Sequence, residues 1–347
     1  MNRLHFYNPE NDLALASGLV RYTPPSVAVR MRRAGCLLPL FWADEGDAVL
    51  VIDDYDREQA ERIVRRDGLK GRIVEQAPEG FRPDPWGWSS YTAEVFRRAG
   101  VDEGLLPSAR ELEQLRQLSH RRTSIEILRR LGVDEGLLPV EARSVEEALA
   151  AVKRFGEGVV KQPWSCSGRG VFYSGELSLS KMSEIISGTV RRQGSVIVEP
   201  RFERRQDFAM LFRVESGNVR FHGYSLFQTL PGGFYSGNVV APQEFIASKL
   251  PTELTEPLIP RLEQILAELI PAWYDGWAGI DMLTYSPTPE LSASDAKAST
   301  LICPCIELNL RRTMGVAALA AAGRIGVSDP LLLNLSSPDF LSPLSDF

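Results

Sequence analysis

The stretch Cys303-Pro304-Cys305-Ile306-Glu307-Leu308-Asn309-Leu310-Arg311-Arg312-Thr313-Met314-Gly315 constrains this chain more than any other. It opens apolar, as a buried strand does, and then sets Glu307 and Asn309 two residues apart. Residues two apart on a strand share a face. A carboxylate beside an amide oxygen is a pair of hard ligands, suited to Mg²⁺ rather than zinc. If the strand runs so far, Arg311 continues that face and brings planar donors for phosphate or carboxylate oxygens. The small-residue run Val316 to Gly323 reads as a close-packed helix, whose N-terminal N–H groups suit an anion. Taken alone, the stretch reads equally well as a strand that ends in solvated polar residues. The rest of the chain separates the two readings.

A length of 347 residues suggests two or three lobes, at about 150 residues per domain. With 44% hydrophobic and 24% charged residues, the composition is that of an ordinary globular protein. A net charge of -6 argues against a nucleic-acid partner. Met1-Asn2-Arg3-Leu4-His5-Phe6 is too polar for a secretory signal, and no apolar run reaches membrane-span length, so a cytoplasmic protein without a membrane partner is expected. Cys36, Cys166, Cys303 and Cys305 follow no zinc spacing and read as reduced thiols. Three His without a His-Glu-x-x-His pattern disfavour a metallohydrolase.

In chain order, residues 3–7 read as a strand ending in the polar turn Asn8-Pro9-Glu10-Asn11-Asp12, the place where open α/β sheets put ligands. A helix over 26–33, strands over 37–41 and 48–52, a helix over 56–66 and a strand over 72–75 follow. This alternation predicts a small parallel-sheet domain. The string Arg-Arg-x-Gly-Val-Asp-Glu-Gly-Leu-Leu-Pro occurs at 97–107 and again at 129–139. Two copies are too few for a solenoid and read as two similar helix exits. After helices over 122–131 and 144–155, the strand Val159-Val160-Lys161 enters the loop Gln162-Pro163-Trp164-Ser165-Cys166-Ser167-Gly168-Arg169-Gly170. Small residues let backbone N–H groups approach a phosphate. The spacing is neither that of a P-loop nor that of a dinucleotide fingerprint. The strand Ser195–Glu199 breaks at Pro200. The glycine-rich segment 229–239 reads as a flap, and Ser286–Thr300 as a mobile insertion that leaves Asp281 and Glu307 side by side in a hairpin. Residues after about 325 read as a poorly structured tail.

Lys161 with its Ser/Gly loop, the broken strand at Glu199, Asp281, and Glu307-x-Asn309-x-Arg311 occur in that order. The ordered set resembles the ATP-grasp superfamily over roughly residues 115–325. Gly276-Trp277-Ala278-Gly279-Ile280-Asp281 is similar to D-alanine–D-alanine ligases, and Glu-x-Asn-x-Arg to the carbamoyl phosphate synthetase and carboxylase branch. The resemblance implies an α/β (α+β) ATP-grasp fold behind an N-terminal Rossmann-like α/β domain. It divides the chain into 1–115 (N-terminal domain), 116–194 (small subdomain with the phosphate loop), 195–330 (large subdomain with the metal site) and a tail, 331–347.

By the same resemblance, Arg122 is the first basic phosphate ligand, with Arg121 its neighbour in register. Lys161 touches the α- and β-phosphates, and Ser165, Ser167, Gly168, Arg169 and Gly170 close over them. Glu199 and the backbone around Arg201 and Phe202 hold adenine, and Asp207 the ribose. Asp281, Glu307 and Asn309 bind two Mg²⁺ ions, with Mn²⁺ as an alternative, and Arg311 holds the transferred phosphoryl group. The ligases carry Arg where this chain has Gly279, which leaves one phosphate contact to Arg311 or Arg312. The implied function is an ATP-dependent carboxylate–amine (or carboxylate–thiol) ligase. It acts through an acyl phosphate on a small acid such as an amino acid or peptide, in a chain of a kind often found as a homodimer. A small-molecule kinase on the same scaffold and a non-catalytic nucleotide-binding protein are the alternatives.

Overall fold

The computed structural model describes residues 1–165, 170–230, 234–286, 300–337 and 339–344. Three sheets organise them. The first contains β1 (Arg3–Phe6), β2 (Ala48–Leu50), β3 (Arg72–Val74) and β4 (Arg82–Pro85). Its order is β3-β2-β1-β4 and every pairing is parallel. Helices α1 (Asn11–Ser17), α2 (Ser26–Gly35), α3 (Arg57–Asp67) and α4 (Ser90–Arg98) alternate with the strands. The strand order turns back on itself at β1, so the crevice beyond the ends of β1 and β4 is the place where such sheets hold ligands.

Helices α5 (Ala109–Leu118) and α6 (Arg122–Arg130) lead into the second sheet. Its strands are β5 (Val140–Ala142), β6 (Gly158–Lys161), β7 (Val171–Tyr173) and β8 (Val196–Pro200), in the order β5-β8-β6-β7. Helices α7 (Val145–Phe155) and α8 (Leu179–Gln193) belong to the same unit, which buries Ala148, Ile186, Val160 and Val198 together. The duplicated string makes the same exit twice: Gly100 and Gly132 both have positive φ, and Asp102 and Asp134 each accept from the N–H two residues on, at 2.8 and 2.7 Å.

The third sheet is antiparallel and has seven strands. They are β9 (Arg204–Glu215), β10 (Asn218–Leu230), β11 (Phe234–Val240), β12 (Gly276–Tyr285), β13 (Leu301–Asn309), β14 (Leu331–Leu333) and β15 (Leu341–Pro343). The order is β13-β12-β9-β10-β11-β14-β15. Helices α9 (Gln243–Ser248), α10 (Thr252–Thr255) and α11 (Leu258–Leu269) connect β11 to β12. On one face Phe208, Met210, Phe212 and Ile280 pack with Ile127 of α6 and Leu262 and Leu266 of α11. On the other, Ala209 and Leu211 meet Val316 of α12 (Met314–Ile325). The alanines of α12 also pack against Tyr7, Leu37 and Trp86, so this small-residue helix lies between the large sheet and the parallel unit.

Two sequence expectations are corrected here. Residues 38–41 form a 3₁₀ turn rather than a strand, with Pro39 at its start; Pro has no N–H for a sheet ladder. The segment after 325 is no loose tail within the described residues: β14 and β15 extend the large sheet, and Leu333 and Phe340 are fully buried. Most of the insertion (287–299) and part of the flap (231–233) lie outside the described residues.

Candidate active site

Strand pairing sets Asp281 directly opposite Glu307, and Gly279 opposite Asn309. On its other side Asp281 faces Ala209, and Asp207 lies two residues along the same strand. Cross-strand partners, and residues two apart, share a face. Asp207, Asp281, Glu307 and Asn309 therefore line one surface. Between Asp281 and Leu283 the β13 side carries Pro304, Cys305 and Ile306 against Met282 alone. Two extra residues keep the alternation in phase, so the apolar start of β13 and its polar end hold their sides.

The carboxylates repel one another. Burial, then the negative charge of Glu307, pushes the Asp281 carboxyl up to about 7, against the opposing pull of Arg311 and the Asn309 amide. Burial also raises Asp207, opposed by Arg204 and Lys161. The Asn309 Nδ2 donates to Asp281 Oδ2 at 3.1 Å, which leaves its Oδ1 for another partner. Crowded carboxylates beside an amide oxygen fit a hard divalent cation, whose charge would relieve the repulsion. They fit as two acids and one amide: among the described residues no three His, Cys, Asp or Glu side chains gather as a metal cluster.

Three buried or half-buried cations surround this surface, each held by an acid. Lys161 Nζ lies 2.5 Å from Glu199 Oε2. Arg121 donates to Glu307 Oε2 at 2.8 Å, to Ser165 Oγ at 2.8 Å, and to the Gln162 carbonyl. Arg311 grips Asp12 with Nε to Oδ1 at 2.9 Å and Nη2 to Oδ2 at 2.6 Å. Asn11, Asp12, Trp164, Ser165, Glu307, Asn309 and Arg311 line one small cavity. Asp12 enters it from the crevice beyond β1, so the parallel unit completes the site.

The structure departs from the sequence reading at several residues. Arg121, 6% exposed, takes the inward place expected of Arg122. The Arg122 guanidinium instead stands 3.7 Å from Glu141 at the surface. Helical spacing explains the register: stepping back from buried Leu128, Ile127 and Ser124 reaches Arg121, whereas Arg122 shares the outer face with Glu126 and Arg129. Strand β13 ends at Asn309, so Arg311 reaches the cavity from the loop beyond it. Ser165 and Gly170 flank the Ser/Gly segment, with Gln162 N–H donating to the Gly170 carbonyl at 2.8 Å; Cys166, Ser167, Gly168 and Arg169 lie outside the described residues. Phe202 stacks on Tyr285 with ring centroids 4.3 Å apart, beside Leu283 and Cys303. The Arg201 side chain turns away to Glu157 and Glu176. A Cβ on Gly279 would stand 3.3 Å from Thr313 Cγ2, the cap of α12, so this position faces a helix N-terminus rather than carrying its own cation. Sequence reasoning singled out Asp12 only as part of a polar turn, because its partner lies 299 residues away.

No family model and no curated protein matches the chain. Solved structures do. The ADP complex of an N5-carboxyaminoimidazole ribonucleotide synthetase matches with a TM-score of 0.51 at 11% identity, covering 95% of this chain and 80% of that one. The Staphylococcus aureus N5-carboxyaminoimidazole synthetase complexed with ADP gives 0.49 at 12%, covering 96% and 82%. Phosphoribosylamine–glycine ligase from Thermotoga maritima gives 0.48 at 13%, covering 92% and 71%. The first of these likenesses extends over nearly the whole chain, and with the sheet order above it identifies the architecture: the chain has the ATP-grasp fold, preceded by a parallel α/β unit.

Proposed function

We propose that this protein is an ATP-dependent ligase that activates a small carboxylic acid as an acyl phosphate and passes it to an amine. The observation that carries this reading is one surface of Asp207, Asp281, Glu307 and Asn309 with Arg121 on Glu307, Arg311 in the cavity that Glu307 and Asn309 line, and Lys161 acting on Asp207. A carboxylate is a poor electrophile at neutral pH. Transfer of a phosphoryl group to it gives the carbonyl a leaving group, and an amine then displaces phosphate. Asp281, Glu307 and Asn309 would hold Mg²⁺, which neutralises charge on phosphate oxygens.

This chain's own residues supply the rest. Lys161 and Arg121 present charge to the nucleotide phosphates once these replace Glu199 and Glu307 as partners. Arg311 offers its planar fork to the phosphoryl group in flight. The Phe202 and Tyr285 rings offer an apolar, aromatic surface for a base, and Asp207, which feels the charge of Lys161, would meet the ribose. Asn11 and Asp12 face the same cavity from the parallel unit and suit the amine, since an acid there can hold it as ammonium and accept the proton it loses before attack. Water must be kept out, or the acyl phosphate hydrolyses.

The test is ADP release from purified protein with Mg²⁺ and ATP, across a panel of amino acids and metabolite acids, with hydroxylamine as the amine. Acid-dependent ADP release with formation of a hydroxamate is expected. Stable phosphorylation of an alcohol would make the protein a kinase. ATP binding without turnover on any pool would make it a nucleotide-binding protein.

A further inference from the structure

The four residues between β13 and α12 point in opposite directions. Arg311 reaches the cavity, while Arg312 turns into the parallel unit and is 6% exposed. There its guanidinium meets both oxygens of Asp84 at 2.8 Å and the Pro85 carbonyl at 3.0 Å, and it lies over the Trp42 ring at 5.2 Å. Its backbone N–H donates to the Trp86 carbonyl at 2.7 Å. Asp84 is held in turn: His5 Nδ1 lies 3.1 Å from it and Arg3 donates to it at 3.3 Å. The far nitrogen of His5 stands 3.1 Å from Asp47. The approach is close: a Cβ on Gly87, just past β4, would stand 3.0 Å from the Arg311 Cβ and 2.6 Å from the Asn11 side chain.

We infer that Asp84 is a positioning residue: through the fork of Arg312 it fixes the 310–313 loop, and so the direction in which Arg311 enters the site. The inference rests on the reading of Arg311 as the ligand of the transferred phosphoryl group. A salt bridge whose only task was to join two units could sit anywhere on their interface. This one ends on the residue adjacent to Arg311, and the peptide between them is itself used, since the Arg311 guanidinium donates to the Arg312 carbonyl at 3.1 Å. The loop is thereby tied by side chain and backbone to β4, a strand of the unit that also supplies Asp12.

The experiment uses the full chain in three variants. Asp84→Leu with Arg312→Met removes both charges together, which buried pairs tolerate better than the loss of one partner. Arg312→Lys keeps the charge and loses the fork. Arg311→Ala removes the group being aimed. For each, ADP release per folded molecule, affinity for a non-hydrolysable ATP analogue with Mg²⁺, and hydrogen exchange of amides 310–316 are read. A displacement of about 1 Å at a reacting group costs roughly 100-fold in rate. The double variant is therefore expected to lose about 100-fold in kcat, with analogue affinity unchanged and faster exchange confined to 310–316; Arg312→Lys should fall between it and the wild type. Wild-type kcat per folded molecule and wild-type exchange in the double variant would overturn the inference. Undiminished turnover in Arg311→Ala would overturn the reading beneath it instead, leaving the exchange result to decide whether Asp84 holds the loop.

Discussion

Two clusters of buried charge lie on either side of Arg311 and Arg312, and they are built on opposite plans. In the parallel unit, Asp47, His5, Asp84 and Arg312 alternate in sign, each acid against a base at 2.8 to 3.1 Å. Beside the cavity, Asp281 and Glu307 stand as like charges across a strand pair, and burial, with the charge of Glu307 added, pushes the Asp281 carboxyl up to about 7. The first plan balances its charges within the chain, with His5 Nδ1 and Arg312 Nε left without a hydrogen bond. The second leaves charge uncompensated, an arrangement that costs stability and persists where a ligand brings the missing charge. The difference separates a group that holds the fold from a group that waits for chemistry.

Four measurements would break or sharpen that contrast. The largest effect is expected of Asp84→Ala, which leaves Arg312 buried without its acid and His5 with Asp47 alone; about 3–5 kcal/mol of stability should be lost in chemical unfolding. A loss under about 1 kcal/mol would mean that the alternating cluster is no clamp. Next, Asn309→Ala should lower turnover on the order of 10²- to 10³-fold, as removal of a group acting on developing charge does. The same variant should keep its stability within about 1 kcal/mol, the worth of one hydrogen bond. Wild-type turnover would remove Asn309 from the metal site.

A smaller gain is expected of Asp281→Asn. The raised carboxyl takes up its proton more readily in the folded state than in the unfolded chain, so wild-type stability falls as pH rises from about 4 to about 7. Without metal at pH 8, Asp281→Asn should be more stable than the wild type, and the advantage should vanish near pH 4. Equal stability at both pH values would deny that burial and Glu307 raise this carboxyl. The smallest effect belongs to His5. Burial disfavours its charge, but Asp47 and Asp84 outweigh this and raise it above its ordinary value. Its contribution is present below pH about 6.5 and lost as pH rises through the higher folded value, a change under about 1 kcal/mol that His5→Gln should abolish.

The two clusters also differ in how far the sequence displayed them. The pairing of Asp281 with Glu307 was legible because strand alternation is a local rule, and because Glu307-x-Asn309 states its own face. It survived a long insertion, since hairpin register depends on the strands rather than on the length between them. The basic residue at the start of α6 was placed at Arg122, next to the buried Arg121, and on a helix one residue is a turn of about 100°; the apolar spacing of Ser124, Ile127 and Leu128 marks Arg121 as the inward one. Asp12, Asp84 and His5 left no such mark. Each meets its partner across a gap of chain that no periodicity spans, 299 residues for Asp12 and 228 for Asp84. The strands β14 and β15 are three residues each, too short for alternation to show.

The irregularity at Pro304 has a bearing on solubility. Strand β13 is the border of the seven-stranded sheet, and borders invite a second chain to continue the ladder. Pro304 withholds an N–H, the local widening bends the strand, and Ser124 of α6 reaches the Ile306 carbonyl at 3.5 Å. The stretch that carries Glu307 and Asn309 is thus a poor template for self-association. Replacing Pro304 with Val would restore a donor to an apolar border, and should raise edge-to-edge association, read as a rise in mass with concentration in light scattering.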